Sequence, residues 1–171
     1  MSKSTHENVY ITHLEGAFWT LVLNKTMKNS DFTTSFTTKK TAREVFDAIN
    51  DVRGWWSTSL EGNSQKLNDV FRYRYKNMHN SRQKLVEVIP DKKVVWKVSD
   101  STLTFVNKKD EWDGTTVQFD ITEQDGTTNV VFTHLGLVPA FECFEACSGG
   151  WNHYIHNSLV PLINTGKGNP D

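Results

Sequence analysis

The chain has 171 residues, of which 37% are hydrophobic and 23% charged, and its formal net charge at pH 7 is −1. This length suits a single domain with a full hydrophobic core. The balanced charge gives no basic excess, so no nucleic-acid partner is expected. Six tryptophans and ten phenylalanines are many for so polar a chain, and they indicate an aromatic-rich interior.

Residues 1–30 are set apart from the rest of the chain. Their apolar run, residues 17–23, is shorter than the about 20 apolar residues needed to cross a bilayer. They also lack the basic start and small-residue cleavage site of a secretory signal. We therefore predict a loosely attached or disordered leader and no membrane span, with a partner-binding segment or an extra edge strand as the alternative.

The first predicted elements of the domain are a strand and a capped helix. Residues 31–38 are rich in threonine and phenylalanine, which is typical of a strand. Thr41 and Glu44 have the spacing of a capping box, which predicts the start of a helix over 42–49. A loop or short helical turn with two adjacent tryptophans follows.

The middle of the chain has the pattern of successive strands separated by turns. Phe71, Tyr73 and Tyr75 alternate with basic residues and are expected to share one face. An Asp125-Gly126 pair favours a tight hairpin between the last two strands. The predicted strands cover residues 59–65, 70–76, 82–90, 94–100, 114–123 and 127–136.

A long helix is predicted over residues 141–163. Gly149-Gly150 is expected to bend it, and Pro161 removes one backbone donor near its end. Hairpin-spaced strands with one long helix indicate the α+β class, with a curved antiparallel sheet of about six to seven strands wrapped around the helix. We assign one domain to residues 31–168 and a tail to residues 169–171.

Several stretches together resemble the START-like, or SRPBCC, superfamily. They are RGWWS, LVEVIPDKKVVWKV, DEWDGTTVQFDITEQDGTTNVVFTHLGL and GWNHYIHNSLVPLINTGKG. The nearest branch resembles bacterial homologues of the C-terminal domain of the heat-shock-protein-ninety ATPase activator. The resemblance implies a helix-grip fold and a deep cavity that takes apolar molecules in many relatives. It implies no metal, no cofactor and no universal catalytic residue.

Two histidines on the C-terminal helix, His153 and His156, are candidates for metal binding. Helical geometry places Trp151, Ile155 and Leu162 on one stripe and both histidines on the opposite side. No acidic or cysteine residue of the helix shares that side, and a structural metal needs more ligands. We therefore expect both histidines to face water and expect no metal.

Five further residues are considered for chemistry. His134 shares strand parity with Phe132, so it is either a core histidine or a polar group at a cavity mouth. Cys143 and Cys147 are one helical turn apart, a poor geometry for a disulfide, which favours buried free thiols and a cytoplasmic location. Glu111 and Asp113 are interpreted as solvated turn residues.

The inward-facing aromatic residues either fill a solid core or line a hollow. Three of them on one strand favour the hollow, with tyrosine hydroxyls as hydrogen-bonding groups. The predicted ligand cavity consists of Trp56, Phe71, Tyr73, Tyr75, Trp96, Phe119, Phe132, His134, Trp151, Tyr154 and Ile155.

Three functions are compatible with these patterns. The first is non-enzymatic binding of a small hydrophobic or aromatic ligand between the sheet and the C-terminal helix. The second is a chaperone-associated stress-response module, by analogy with the activator family. The third is a cyclase or hydratase that uses His134 together with Tyr73, for which both groups must meet in one pocket.

Overall fold

The computed structural model describes residues 30–171, so the predicted leader, apart from Ser30, lies outside the described residues. The strands are β1 Phe32–Thr38, β2 Glu61–Gly62, β3 Val70–Tyr75, β4 His79–Ile89, β5 Lys93–Leu103, β6 Thr116–Gln124 and β7 Thr127–Leu135. The helices are α1 Ala42–Asn50, α2 Val52–Trp55, α3 Phe144–Tyr154 and α4 Val160–Thr165, with a π-helical segment at Ile155–Leu159. None of the helices within residues 30–171 is long and apolar enough to cross a membrane.

The seven strands form one antiparallel sheet in the order β1-β7-β6-β5-β4-β3-β2. Register shifts between β4 and β5, at Asn80/Arg82 and Leu85/Glu87, mark irregularities that bend a sheet. The sheet curves around the C-terminal helix, which we define as residues 144–165. The predicted α+β helix-grip architecture is confirmed.

Local sequence signals account for the start of α1 and for the hairpin between β6 and β7. The Glu44 N–H donates to the Thr41 hydroxyl at 3.2 Å, and the Thr41 N–H donates to the Glu44 carboxylate at 2.9 Å. The predicted capping box is therefore confirmed at the start of α1. Asp125 and Gly126 both have positive φ, 51° and 68°, the conformation of a tight hairpin turn between β6 and β7.

The C-terminal helix departs from regular α-helix at a place that the sequence did not indicate. The chain stays α-helical through Gly149-Gly150, and the π-helical segment begins five residues later. Pro161 lies two residues after this segment; its ring and missing N–H are incompatible with a regular bond to the carbonyl four residues earlier. The irregularity is thus explained by Pro161, and the chain is not unwound at the double glycine.

One chain of side-chain hydrogen bonds joins the C-terminal helix to the sheet. The indole N–H of Trp151 donates to Nδ1 of His134 at 2.9 Å. The proton of His134 is therefore on Nε2, which donates to the Thr115 hydroxyl at 2.8 Å. That hydroxyl in turn donates to the Trp112 carbonyl at 2.6 Å.

His134 is completely buried. Burial, with a smaller contribution from nearby His79, lowers the pKa of His134 to about 3, so it is neutral at physiological pH. Both ring nitrogens have partners. His134 is therefore a core histidine, which was one of the two interpretations of the sequence.

Removing the helix cap should weaken the domain measurably. In Thr41→Ala the N–H of Glu44 loses its acceptor, and we expect a loss of about 1 kcal/mol in the free energy of unfolding. Thr41→Ser keeps a hydroxyl and should retain most of the stability. Urea denaturation of both variants measures the difference, and equal values for the two would contradict a role for the hydroxyl.

The neutral state of His134 should make stability depend on pH. In the unfolded chain a histidine takes up a proton near pH 6.5, whereas in the fold it does so only near pH 3. The contribution of neutral His134 to the free energy of unfolding is thus complete above pH 6.5. It is lost as the pH falls towards 3, at about 1.4 kcal/mol per pH unit. Between pH 7.5 and 5.5, urea denaturation should show a smaller loss in His134→Gln than in the unaltered chain.

The control for this measurement is His153→Gln, an exchange on the exposed face of the C-terminal helix. It is expected to follow the pH dependence of the unaltered chain. If His134→Gln loses stability as steeply as the unaltered chain, His134 does not account for the pH dependence.

Candidate functional site: an aromatic groove beside the C-terminal helix

A groove of about 370 Å³ lies between the C-terminal helix and the β3–β4 end of the sheet. Strand β3 and the β3–β4 hairpin form one wall, α3 forms another, and the segment between β5 and β6 closes the side. The groove is lined by Trp56, Tyr73, Tyr75, Met78, His79, Phe105, Trp112, Ala146, Cys147, Gly150, Trp151, His153 and Tyr154.

The aromatic walls of the groove are held by ring stacking. The Trp56 and Tyr73 rings stack with centroids 4.2 Å apart, and the Trp56 and Trp151 centroids are 4.9 Å apart. Trp112 stacks on Trp151 at 5.7 Å, and its indole N–H donates to the Cys147 sulfur. Contacts of this kind stabilise aromatic pairs beyond their buried area, so these walls are rigid.

The helical wall is open because two of its residues are small. Ala146 and Gly150 lie one helical turn apart and both line the groove. A Cβ atom added at Gly150 would meet no atom within 4 Å. On the solvent side, the side chains of Met78 and Phe105 remain 43% and 41% exposed, which leaves the groove accessible from outside.

Two tyrosine hydroxyls share one carboxylate at the edge of the groove. Tyr73 donates to Asp171 at 3.1 Å, and Tyr154 donates to the same carboxylate oxygen. Burial is the main reason that the pKa of each tyrosine is raised, followed by its hydrogen bond to Tyr154 for Tyr73 and to Asp171 for Tyr154. Both hydroxyls therefore stay protonated at neutral pH.

The backbone around Asp171 places this carboxylate. Asp171 donates from its N–H to the Trp56 carbonyl at 3.2 Å and accepts from the Thr58 N–H at 2.9 Å. Nearby, the Asn169 N–H donates to the Ser158 hydroxyl at 2.7 Å. Residues 169–171, expected as a tail, thus lie against the segment after α2 and the C-terminal helix.

A largely buried polar group of the groove is His79, at the first position of β4. Its Nε2 atom is 3.0 Å from the Ser81 hydroxyl. Burial lowers the pKa of His79 to about 4, so the ring is neutral at pH 7. The alternation of Ser81, Gln83 and Leu85, all buried, extends back to His79, but the predicted strand began only at residue 82.

The segment at residues 111–113 corrects one expectation. Glu111 was expected to be a solvated turn residue, but it is only 5% exposed, and its carboxylate accepts the N–H groups of Glu142 and Cys143. A carboxylate at a helix N-terminus is favourable because it pairs with free backbone donors. This contact holds the segment that carries Trp112, a groove residue that the sequence analysis did not identify.

The structure divides the predicted cavity residues into two sets. Trp56, Tyr73, Tyr75, Trp151 and Tyr154 line the groove. The others are buried in the packed core below it: Phe71, Trp96, Phe119, Phe132, His134 and Ile155.

Eight lining residues of the groove were not among the predicted cavity residues: Met78, His79, Phe105, Trp112, Ala146, Cys147, Gly150 and His153. Two of them could have been found from the sequence. Cys147 lies one helical turn before Trp151 and therefore on the same helix face, and His79 has the strand parity of the buried residues of β4. Met78, Phe105 and Trp112 lie in connections without such a period.

The two histidines of the C-terminal helix and the two cysteines near its start lie largely as expected. His153 and His156 are exposed, as predicted; His156 is hydrogen-bonded to Thr34, and His153 lies at the edge of the groove. Cys143 and Cys147 are buried free thiols. The hydrogen bond with Cys147 and burial both raise the pKa of Cys143, which disfavours its nucleophilic thiolate form.

Solved structures of similar fold support the architecture. The Aha1 dimer from Colwellia psychrerythraea has a TM-score of 0.67 and 20% identity, over 81% of this chain and 99% of that chain. DynU16, described as a putative protein in the dynemicin biosynthetic locus, has a TM-score of 0.59 and 14% identity, over 80% of this chain and 48% of that chain. Protein MLL2253 from Mesorhizobium loti has a TM-score of 0.59 and 12% identity, over 77% and 96%.

Among curated proteins, none matches the chain with significant similarity. The family model described as activator of Hsp90 ATPase homolog 1-like protein matches residues 39–164. That range runs from just before the capping box of α1 to the last turn of the C-terminal helix, and includes six of the seven strands and every lining residue of the groove. The chain therefore belongs to the activator of Hsp90 ATPase homolog 1-like family.

Proposed function

We propose that the chain binds a small apolar or aromatic molecule in the groove beside the C-terminal helix, without catalysing a reaction. The observation that carries the proposal is an accessible groove of about 370 Å³ with seven aromatic rings in its wall and, among the described residues, no lysine, arginine, aspartate or glutamate in its lining. This volume is within the range of about 300–1,000 Å³ typical of ligand pockets.

Burial of apolar surface provides the driving force for binding. The accessible apolar side chains of Met78 and Phe105 leave water when a ligand covers them. The stacked Trp56 and Tyr73 rings are already in place, so little conformational entropy is lost on binding. Apolar, aromatic walls with few polar groups suit a ligand of the same character.

The positions of His134 and Tyr73 argue for binding rather than for a cyclase or hydratase reaction. Tyr73 lines the groove, whereas His134 lies in the core beneath it. Trp151 and Thr115 occupy both ring nitrogens of His134. A general base must reach the substrate proton, and His134 does not reach the groove.

Filling the groove from Gly150 should abolish binding. A leucine at this position points into open space and improves helix propensity by up to about 1 kcal/mol. We expect Gly150→Leu to be at least as stable as the unaltered chain but to bind N-phenyl-1-naphthylamine about tenfold or more weakly. Fluorescence titration measures the affinity, and thermal unfolding measures stability.

Gly149→Leu is the matched control. Gly149 is exposed in the same helix, does not line the groove, and also has no atom within 4 Å of an added Cβ. The Gly149→Leu variant should gain the same helix propensity and bind N-phenyl-1-naphthylamine with the affinity of the unaltered chain. Saturable binding that is equally strong in both variants would place the ligand elsewhere, and absence of binding by the unaltered chain would argue against the proposal.

A second candidate function is activation of an Hsp90-type chaperone. It is supported by the family match over residues 39–164. The exposed Met78 and Phe105 side chains offer an apolar contact for a protein partner.

The chaperone hypothesis predicts that the chain accelerates ATP hydrolysis by an Hsp90-type chaperone. Titration of the chain into a steady-state ATPase assay should give a saturable increase. Because Gly150→Leu fills the groove and leaves the outer surface intact, it should stimulate as well as the unaltered chain does. No stimulation and no binding by calorimetry would remove this candidate.

A further inference from the structure

We propose that His79 is the specificity-determining residue of the groove, and that its Nδ1 atom selects a neutral aromatic ligand that carries an O–H or N–H donor. This inference rests on the proposed binding function and adds the chemical class of the ligand. It follows from the hydrogen bonds of His79, from the packing of its ring and from the charges around the groove.

The hydrogen bonds of β4 set the tautomer of His79. With the amide nitrogen of Gln83 facing the carbonyls of Ser81 (3.1 Å) and Phe71 (3.3 Å), its amide oxygen accepts from the Ser81 hydroxyl at 2.7 Å. The orientation of an amide is assigned from such partners. Since the Ser81 proton is then used, Nε2 of His79 donates to Ser81 and carries the ring proton. Nδ1 is left as an acceptor.

The ring of His79 is held in one orientation. It packs edge-to-face against Trp112, with centroids 4.4 Å apart and planes at 83°, and against Tyr73 at 5.1 Å and 81°. The edge of a ring is attracted to the face of another. With Nε2 tied to Ser81 as well, the ring cannot turn Nδ1 towards a new protein partner without losing these contacts.

Nδ1 of His79 has no hydrogen-bond partner within residues 30–171, because the only hydrogen bond of this side chain is through Nε2. Burial keeps the ring neutral down to about pH 4, so Nδ1 remains an acceptor at physiological pH. A ligand that covers this nitrogen without donating to it would leave a buried acceptor unpaired, which is unfavourable. A ligand O–H or N–H removes that penalty.

In the part of the chain that the structure describes, the lining of the groove offers no aspartate, glutamate, lysine or arginine as a counter-ion to a charged ligand. The nearest carboxylate in the hydrogen-bond network, Asp171, already accepts from the hydroxyls of Tyr73 and Tyr154. A charged group would lose its hydration in the groove without a counter-ion, so the preferred ligand is neutral.

The experiment compares two ligands of nearly the same shape, 1-naphthol and 1-methoxynaphthalene. Only 1-naphthol has a donor. Titrations followed by the indole N–H signals of Trp112 and Trp151 in ¹H–¹⁵N spectra give both dissociation constants. We expect 1-naphthol to bind about five- to tenfold more tightly.

Two variants test whether His79 causes this preference. His79→Phe keeps a ring but removes the acceptor, and it should bind both ligands equally. His79→Asn places an amide oxygen near the position of Nδ1 and should restore part of the preference for 1-naphthol. Thermal unfolding checks that both variants are folded.

A measurement on the unaltered chain decides the question even if the variants are unstable. The ¹⁵N signal of the His79 Nδ1 atom should be that of an unprotonated nitrogen in the free protein. It should move towards the value of a hydrogen-bonded nitrogen with 1-naphthol and not with 1-methoxynaphthalene.

Equal dissociation constants in the unaltered chain, or an unmoved Nδ1 signal with bound 1-naphthol, would overturn the role of His79 and leave ligand binding intact. The same holds if N-phenyl-1-naphthylamine binds in the groove and neither naphthalene derivative does. If none of the three compounds binds, the proposed binding function itself fails.

Discussion

The hydrogen-bond chain from Trp151 through His134 and Thr115 to the Trp112 carbonyl connects two of the three parts that form the groove, the C-terminal helix and the β5–β6 segment, through strand β7. Each donor has one acceptor, which requires His134 to stay neutral, and its burial makes that the favoured state. A second contact, from Glu111 to the backbone N–H groups of Glu142 and Cys143, holds the same loop at the start of the C-terminal helix. The position of Trp112 therefore depends on interactions with both the sheet and the helix.

The groove is a consequence of unequal side-chain size on its two sides. Large rings from the sheet and from the loop meet a helix wall that carries Ala146 and Gly150. A larger residue at Gly150 would occupy the space, since nothing now lies within 4 Å of its absent Cβ. Gly150 thus provides space for the groove, and the helical irregularity is caused by Pro161. Beneath the groove, Trp96, Phe119 and Phe132 fill a solid core, so a packed interior and an open groove are both present.

Much of the fold could be predicted because its signals are local. The capping box, the Asp-Gly hairpin and the shared strand parity of Phe132 and His134 depend on neighbouring residues, and the structure confirms each. The outward positions of His153 and His156 follow from helical geometry and are also confirmed. The site was harder to predict. Strand parity indicates that a side chain faces inward, but it does not indicate whether the space next to that side chain is filled by other residues. Phe71 and Tyr73 share one face of β3, yet only Tyr73 lines the groove.

The sequence by itself determined the order of the elements, the inward faces of the strands and the buried stripe of the C-terminal helix, since periodicity and capping act over a few residues. Only the tertiary structure decided which inward residues surround open space. Trp112, Met78 and Phe105 lie in connections whose paths depend on distant contacts, such as that of Glu111 with the start of the C-terminal helix. Likewise, His79 is recognisable as a free acceptor only when Ser81 and Gln83 are seen to occupy its other nitrogen. A binding site consists of open space and of polar groups without a hydrogen-bond partner, and both are determined by residues that are far apart in the chain.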